Sequence, residues 1–318
     1  MFATPTNGAR AMILTRRDML KLSAGAGAAL AFGRLPAIAQ DVSAIRKRPI
    51  PSTGELIPVV GLGTARTFNV GTSEEERAPL REVLKTFVDM GGTLLDTAEA
   101  YDKSEAVSGD LAKDLGVTDK LFIATKVGAE EKDAGIAEME NSLRVLHRST
   151  IDLMQIHNLR GWQTQLATLR EWKAAGKVRY IGITTSNSRQ YDDFAAVMER
   201  EELDFVQVNY SLAQRQAEER ILPLAADRGV AVLVNLPFGR GRLFQAVEGQ
   251  ELPAWASEFD AESWGQFFLK WIIGHPAVTC PIPATTKAHH ARDNMGAAYG
   301  RLPDDATRKK MVEFFTGL

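Results

Sequence analysis

Residues 94–126 read LLDTAEAYDKSEAVSGDLAKDLGVTDKLFIATK. One apolar run ends at Asp96, a stretch with helical spacing follows, and a second apolar run ends at Lys126. Taken as neighbouring parallel strands with a helix between them, the two runs would set Asp96, Lys126 and the nearby Tyr101 on one rim of a sheet. A catalytic site is the reading to test.

The same rhythm extends outward. Apolar runs rich in β-branched residues occupy Val59–Ala65, Thr93–Ala98, Leu121–Val127, Ile151–His157, Val178–Thr184, Phe205–Ser211, Ala231–Pro237 and Val278–Ala284. Helically spaced segments separate them, several ending in glycine where a left-handed C-cap belongs. Eight such alternations predict a single α/β domain, a (β/α)8 TIM barrel, with a β-hairpin ahead of it around Ser52-Thr53-Gly54. The alternative, an open doubly wound sheet, lacks its G-x-G-x-x-G: Gly61-Leu62-Gly63-Thr64 has neither the third glycine nor a helix start.

The first 39 residues read differently. TRRDMLK at 15–21 precedes a short Gly/Ala-rich apolar middle and then Ala37-Ile38-Ala39, the layout of an export signal cut after Ala39. The Arg16-Arg17 pair resembles a twin-arginine signal. The expectation is therefore a cleaved signal peptide over 1–39, a barrel over 40–318, the twin-arginine export machinery as a partner, and a periplasmic location. The apolar middle is far shorter than a membrane span.

Composition narrows the function. With 45% hydrophobic and 25% charged residues the chain is globular, and a net charge of -2 with no basic block gives no nucleic-acid track. Cys280 is the single cysteine, so an intramolecular disulfide and a Cys-rich metal cluster are both excluded. Its neighbours, VTCPIPA, read as buried packing. Metal ligation by His157 with one carboxylate is thin, and His289-His290 falls on a helix after the last strand. Oligomeric state is not legible.

In a barrel of this kind the active site forms at the C-terminal ends of the strands. There stand Asp96, Lys126 and His157, with Tyr101 on the loop after the second run. A lysine ammonium beside a tyrosine favours the tyrosinate, and an aspartate keeps the lysine charged. A neutral histidine can donate to a carbonyl oxygen. The four together suit proton donation to a carbonyl that is under hydride attack.

The runs GGTLLDTAEAYDKSE, IATKV, IDLMQIHN, GKVRYIGITTSN, VQVNYS and IPATTKAHHARDN resemble the aldo-keto reductase superfamily, in order and at the expected strands. The resemblance implies a nicotinamide-dependent reduction of aldehydes or ketones, or the reverse, with NADP as cofactor and NAD as the alternative. It implies Tyr101 as acid, Lys126 and Asp96 lowering its pKa, and His157 orienting the carbonyl. It places Gly63, Thr64, Asp96, Thr184, Thr185, Gln207, Asn235, Leu236, Phe238, Arg240, Thr285, Thr286, Lys287 and Asn294 on the cofactor, with Arg292 near. Thr184-Thr185 stand where the family usually has Ser-Asn on the nicotinamide carboxamide, and Gln207 matches the family's glutamine in that role. Asn235 replaces an aromatic that often stacks on the ring. Ala284, Thr285 and His290 replace the Lys-Ser and Arg that other members use at the adenosine end, while IPATTK resembles a second form in which Lys287 meets a 2′-phosphate. Phe68, Trp162, Phe238 and Trp255 are expected on rim loops as a pocket for a small-molecule carbonyl substrate. A competing reading is a nucleotide-binding redox sensor or partner subunit with slow turnover.

Overall fold

The computed structural model describes residues 43–318, so the leader expected over 1–39 lies outside the described residues. The hairpin is present: β1 (Lys47–Pro49) pairs antiparallel with β2 (Leu56–Pro58). Its turn closes on Gly54, at φ +78°, whose N–H donates to Ile50 O at 2.7 Å.

Eight parallel strands follow: β3 (Leu62–Gly63), β4 (Leu94–Asp96), β5 (Phe122–Val127), β6 (Ile151–Ile156), β7 (Val178–Thr184), β8 (Phe205–Asn209), β9 (Ala231–Asn235) and β10 (Cys280–Pro281). They neighbour one another in sequence order. Gly61 N–H donates to Pro281 O at 2.9 Å and Gly63 N–H to Pro283 O at 3.0 Å, which joins the last strand to the first. Each of the eight apolar runs holds a strand. The first and last strands are shorter than their runs because the seam is thinly bonded: Pro281 and Pro283 have no N–H to donate.

Side chains alternate along a strand, so residues two apart share a face. Leu94, Phe122, Leu153, Tyr180, Phe205 and Ala231 form one buried cluster with Ile50 and Ile57 of the hairpin. That cluster fills the barrel from its N-terminal end. Counting in twos up the strands from it gives Asp96, Lys126, Gln155, Thr184, Gln207 and Asn235 at the other end. The interior thus changes from apolar to polar along the barrel axis. A second, larger apolar layer lies between strands and outer helices.

The hairpin is tied to the barrel floor by several polar contacts. Tyr180 Oη lies 2.8 Å from Thr53 Oγ1 and donates to Glu55 Oε2 at 2.6 Å. Arg48 donates to the carbonyls of Ile273 (2.7 Å) and His275 (2.8 Å). No described helix is long and apolar enough to cross a membrane.

Candidate active site

Asp96 ends β4, Lys126 stands one residue before the end of β5, and His157 follows β6 directly. Lys126 Nζ donates to Asp96 Oδ1 (2.8 Å), Asp96 Oδ2 (2.9 Å) and Thr97 O (2.6 Å). Both charged side chains are almost fully buried, at 2% and 3% exposure. The Tyr101 ring centroid is 5.2 Å from Lys126 Nζ and 5.8 Å from the His157 ring, which meets it edge-on at 82°. The four residues named from the sequence therefore converge.

Burial alone would pull the Lys126 ammonium down, but Asp96 and Tyr101 outweigh it and hold the group above its usual value. Burial raises the Asp96 carboxyl, opposed by Lys126, Gln207 and Gln155. Tyr101 corrects an expectation. Lys126 does pull the phenol down, yet burial and then Asp96 prevail, and its pKa lies above the usual value. Tyr101 is a proton holder at neutral pH. The His157 imidazole is lowered to about 4 by burial, Lys126 and Arg160, so it is neutral there.

Three further residues of the quoted runs lie in or beside the site. Gln155 projects inward two positions before His157, and its Nε2 donates to Gln207 Oε1 at 3.0 Å. Period-two counting back from His157 would have found it. Glu105 is buried beneath Lys126's strand and accepts from Thr125 Oγ1 and, at 3.1 Å, from Ser142 Oγ. Asn158 adopts a left-handed backbone (φ 53°, ψ 38°) directly after His157. Its N–H donates to Thr184 Oγ1 (3.0 Å), its Oδ1 accepts from Ser186 N–H (3.2 Å), and its carbonyl accepts from Gln190 Nε2 (3.3 Å).

The expected cofactor residues divide into groups. Gly63 and Thr64 lie at the seam, where Thr64 Oγ1 donates to Asp96 O at 3.0 Å. Thr184 offers a hydroxyl beside Asn158. Thr185 is a correction: its Oγ1 donates to Gln190 Oε1 (2.7 Å) and accepts from Asn187 N–H (3.1 Å), and the residue is fully buried, so its hydroxyl is spent within its own turn. Gln207 Oε1 accepts from Gln155 Nε2 at 3.0 Å, and the side chain lies beside Asp96, whose carboxyl it helps to hold down.

After β9 the chain makes left-handed steps at Leu236 (φ 50°), Gly239 (56°), Arg240 (58°) and Gly241 (87°). Phe238 packs on Phe244 within it, centroids 4.9 Å apart. After β10, Thr285 Oγ1 accepts from Lys287 N–H at 3.1 Å and meets His290 Nδ1 at 3.4 Å. Thr286 and Lys287 are exposed ahead of the helix Ala288–Gly296, which carries exposed Arg292 and buried Asn294.

Two aromatics are not where a substrate pocket needs them. Phe68 is wholly buried in the outer apolar layer. Trp255 packs on Phe267 (5.7 Å), on Phe314 (5.8 Å) of the helix Asp305–Thr316, and under Lys310 Nζ (4.2 Å). An aromatic cluster closed by the last helix claims it. Trp162 begins the helix Trp162–Ala174 after β6 and is half-buried at the rim. Cys280 is buried, and burial pushes its thiol up. No group of three His, Cys, Asp or Glu among the described residues could hold a metal.

Residues 59–309 match the sequence profile of the Aldo/keto reductase family. Aldo-keto reductase YhdN of Bacillus subtilis is 33% identical over 216 residues, which span 61% of this chain and 62% of that relative. Aldo-keto reductase yakc (NADP+) of Schizosaccharomyces pombe is 25% identical over 307 residues, 81% of this chain and 88% of its own. Among solved structures, an aldo/keto reductase from Klebsiella pneumoniae in complex with NADP and acetate superimposes with a TM-score of 0.71 at 24% identity, covering 85% of this chain and 96% of that one. The thermostable aldo-keto reductase Tm1743 with the inhibitor epalrestat gives 0.70 at 26% identity, over 85% and 99%. With a family match over most of its length, and strand ends that bring Asp, Tyr, Lys and His together, this chain belongs to the aldo/keto reductase family.

Proposed function

We propose that the protein is an NADP-dependent oxidoreductase that reduces an aldehyde or ketone to an alcohol, or runs the reverse, with Tyr101 as general acid. The observation that carries this is the convergence of Tyr101, the buried Lys126–Asp96 pair and neutral His157 at one end of the barrel. His157 donates an N–H to the substrate's carbonyl oxygen. Tyr101, held protonated by burial, gives up its proton as that oxygen gains charge: the phenol O–H breaks and the alcohol O–H forms. Lys126 steadies the phenolate that results, and Asp96 keeps Lys126 charged. When bound, the nicotinamide supplies the hydride.

The residues fit such a nucleotide. Asn235 Oδ1 and Asn209 Nδ2 are buried polar atoms without a partner at the polar end of the barrel. The left-handed loop from Leu236 to Gly241 exposes Arg240, and Thr285, Thr286, Lys287 and Arg292 gather at the start of a helix, a donor set suited to phosphate. The NADP relatives support that cofactor. The test is Tyr101→Phe, assayed by NADPH consumption with a panel of aldehydes and ketones. Turnover should fall about 10²-fold or more with nucleotide binding kept. Wild-type binding without turnover would favour the sensor reading instead.

We also propose that residues 1–39 direct export of the folded protein to the periplasm by the twin-arginine route, supported by TRRDMLK and the Ala37-Ile38-Ala39 ending. Replacing Arg16 and Arg17 together by Lys should keep the full-length chain in the cytoplasm. An unchanged periplasmic fraction would sink the idea.

A further inference from the structure

The turn after β6 carries a cation that proton transfer does not use. Arg160 N–H donates to His157 O at 3.1 Å, so the two residues share one tight turn. The Arg160 side chain lies against Gly128, which directly follows β5: a Cβ placed on Gly128 would be 3.8 Å from His157 Cβ and 4.0 Å from Arg160 Nη1. The backbone at Gly128 is not left-handed, so conformation does not demand a glycine. What the missing side chain leaves is space between the imidazole and the guanidinium.

The turn is firmly seated. A Cβ on Gly161 would sit 2.6 Å from Glu130 Cα, so this turn packs backbone to backbone on the turn after β5. Gln165 Nε2 donates to Ala129 O (3.0 Å) and Glu131 O (2.9 Å), while Glu138 Oε2 accepts from the N–H groups of Gly128 (2.8 Å) and Ala129 (3.0 Å). The guanidinium, by contrast, is hardly engaged. Its one ion pair among the described residues is with Glu130, Nη2 to Oε1 at 3.8 Å, between side chains 61% and 69% exposed. A pair that long and that open contributes little. Glu99 shares the rim and feels the Arg160 charge without a hydrogen bond to it.

A planar fork of unspent N–H donors matches a carboxylate. Lys126 lies two positions down the strand from Gly128, about 7 Å, a gap that about two to four carbons bridge. A phosphate would bring a second negative charge toward Glu99 and Glu130, so the singly charged group fits better.

We propose that the substrate is a short oxo acid, whose carboxylate Arg160 holds while its carbonyl lies between Tyr101 and His157. This rests on the oxidoreductase reading above. The carbonyl carbon takes the hydride that the nicotinamide supplies, its oxygen takes the Tyr101 proton, and the carboxylate passes through unchanged. The product is a hydroxy acid.

The test follows NADPH consumption with succinic semialdehyde and with its methyl ester, which keeps the chain and removes the charge. Wild type should show kcat/KM about tenfold higher for the acid, carried by KM, and added salt should erode that preference. Arg160→Gln should abolish it, and Arg160→Lys should keep part of it, because the charge stays and the fork is lost. Wild type that takes the ester as readily as the acid overturns the proposal, as does a preference that survives Arg160→Gln. Each ratio compares two substrates on one preparation, so partial loss of folded protein cancels. Reduction of neither compound also overturns the proposal; if the panel of aldehydes and ketones is refused too, the oxidoreductase reading falls with it.

Discussion

A lysine ammonium with 2% of its side chain exposed persists inside the barrel because three oxygen atoms, two from Asp96 and one from Thr97, face it. Removing it leaves a carboxylate in a dry site, so Lys126→Met should cost about 3–5 kcal/mol in urea unfolding, and Asp96→Asn in the same chain should recover part of that. A loss under about 1 kcal/mol would mean that water reaches Asp96. The four site residues were legible in the sequence because each closes an apolar run or stands just past one. Gln155 was not, because a lone polar residue within IDLMQI reads as ordinary strand chemistry until its inward parity is known. The rim aromatics failed for a related reason. Phe68 and Trp255 lie on connections, and their composition does not say whether a ring faces substrate or packs beneath a helix.

At the level of elements, two joints govern how the site is held. Asn158 takes a left-handed conformation and ties the turn after β6 to Thr184, Ser186 and Gln190 beyond β7. Asn158→Gly keeps the backbone but loses the Ser186 bond, at about 1 kcal/mol, while Asn158→Val adds about 1–2 kcal/mol for a β-branched side chain in that region. Equal losses in chemical denaturation would show that the turn relaxes to another conformation. The other joint is the seam. A Cβ on Gly63 would sit 2.7 Å from Ile282 O, a backbone atom, so Gly63→Ala should destabilise by about 1–3 kcal/mol in the same assay. A neutral result would mean that β3 and β10 move apart freely. The eight strands were visible from their apolar runs, which a barrel wall buried on both faces demands. The seam strands shrank to two residues each because Pro281 and Pro283 bring no N–H to the ladder, a detail of pairing that hydrophobicity does not record.

For the whole molecule, acid stability follows from two histidines held near pKa 4, His157 by burial, Lys126 and Arg160, and His275 by burial and Arg308 foremost. Unfolded histidine titrates near 6.5, so between those values the unfolded chain binds more protons than the folded one, and stability rises with pH. The contribution is complete above about pH 6.5, declines as pH falls toward 4, and is flat below. Allowing for solvent screening at the partly exposed His275, the pair should account for about 2–4 kcal/mol of loss. Melting temperatures at pH 7, 5.5 and 4.5 test this. His275→Asn keeps an acceptor for Ala277 N–H and should flatten the decline, and an unaltered slope would remove His275 from the account.

The hairpin has a kinetic corollary. With Ile50 and Ile57 packed into the floor, the described residues close that end of the barrel, which leaves the polar end as the doorway to Lys126 and Asn235 among them. Two guests sharing one doorway have to queue. Whichever lies deeper must arrive first and depart last, so turnover should follow a compulsory order in which dead-end complexes form when the outer guest returns before the inner one has been exchanged.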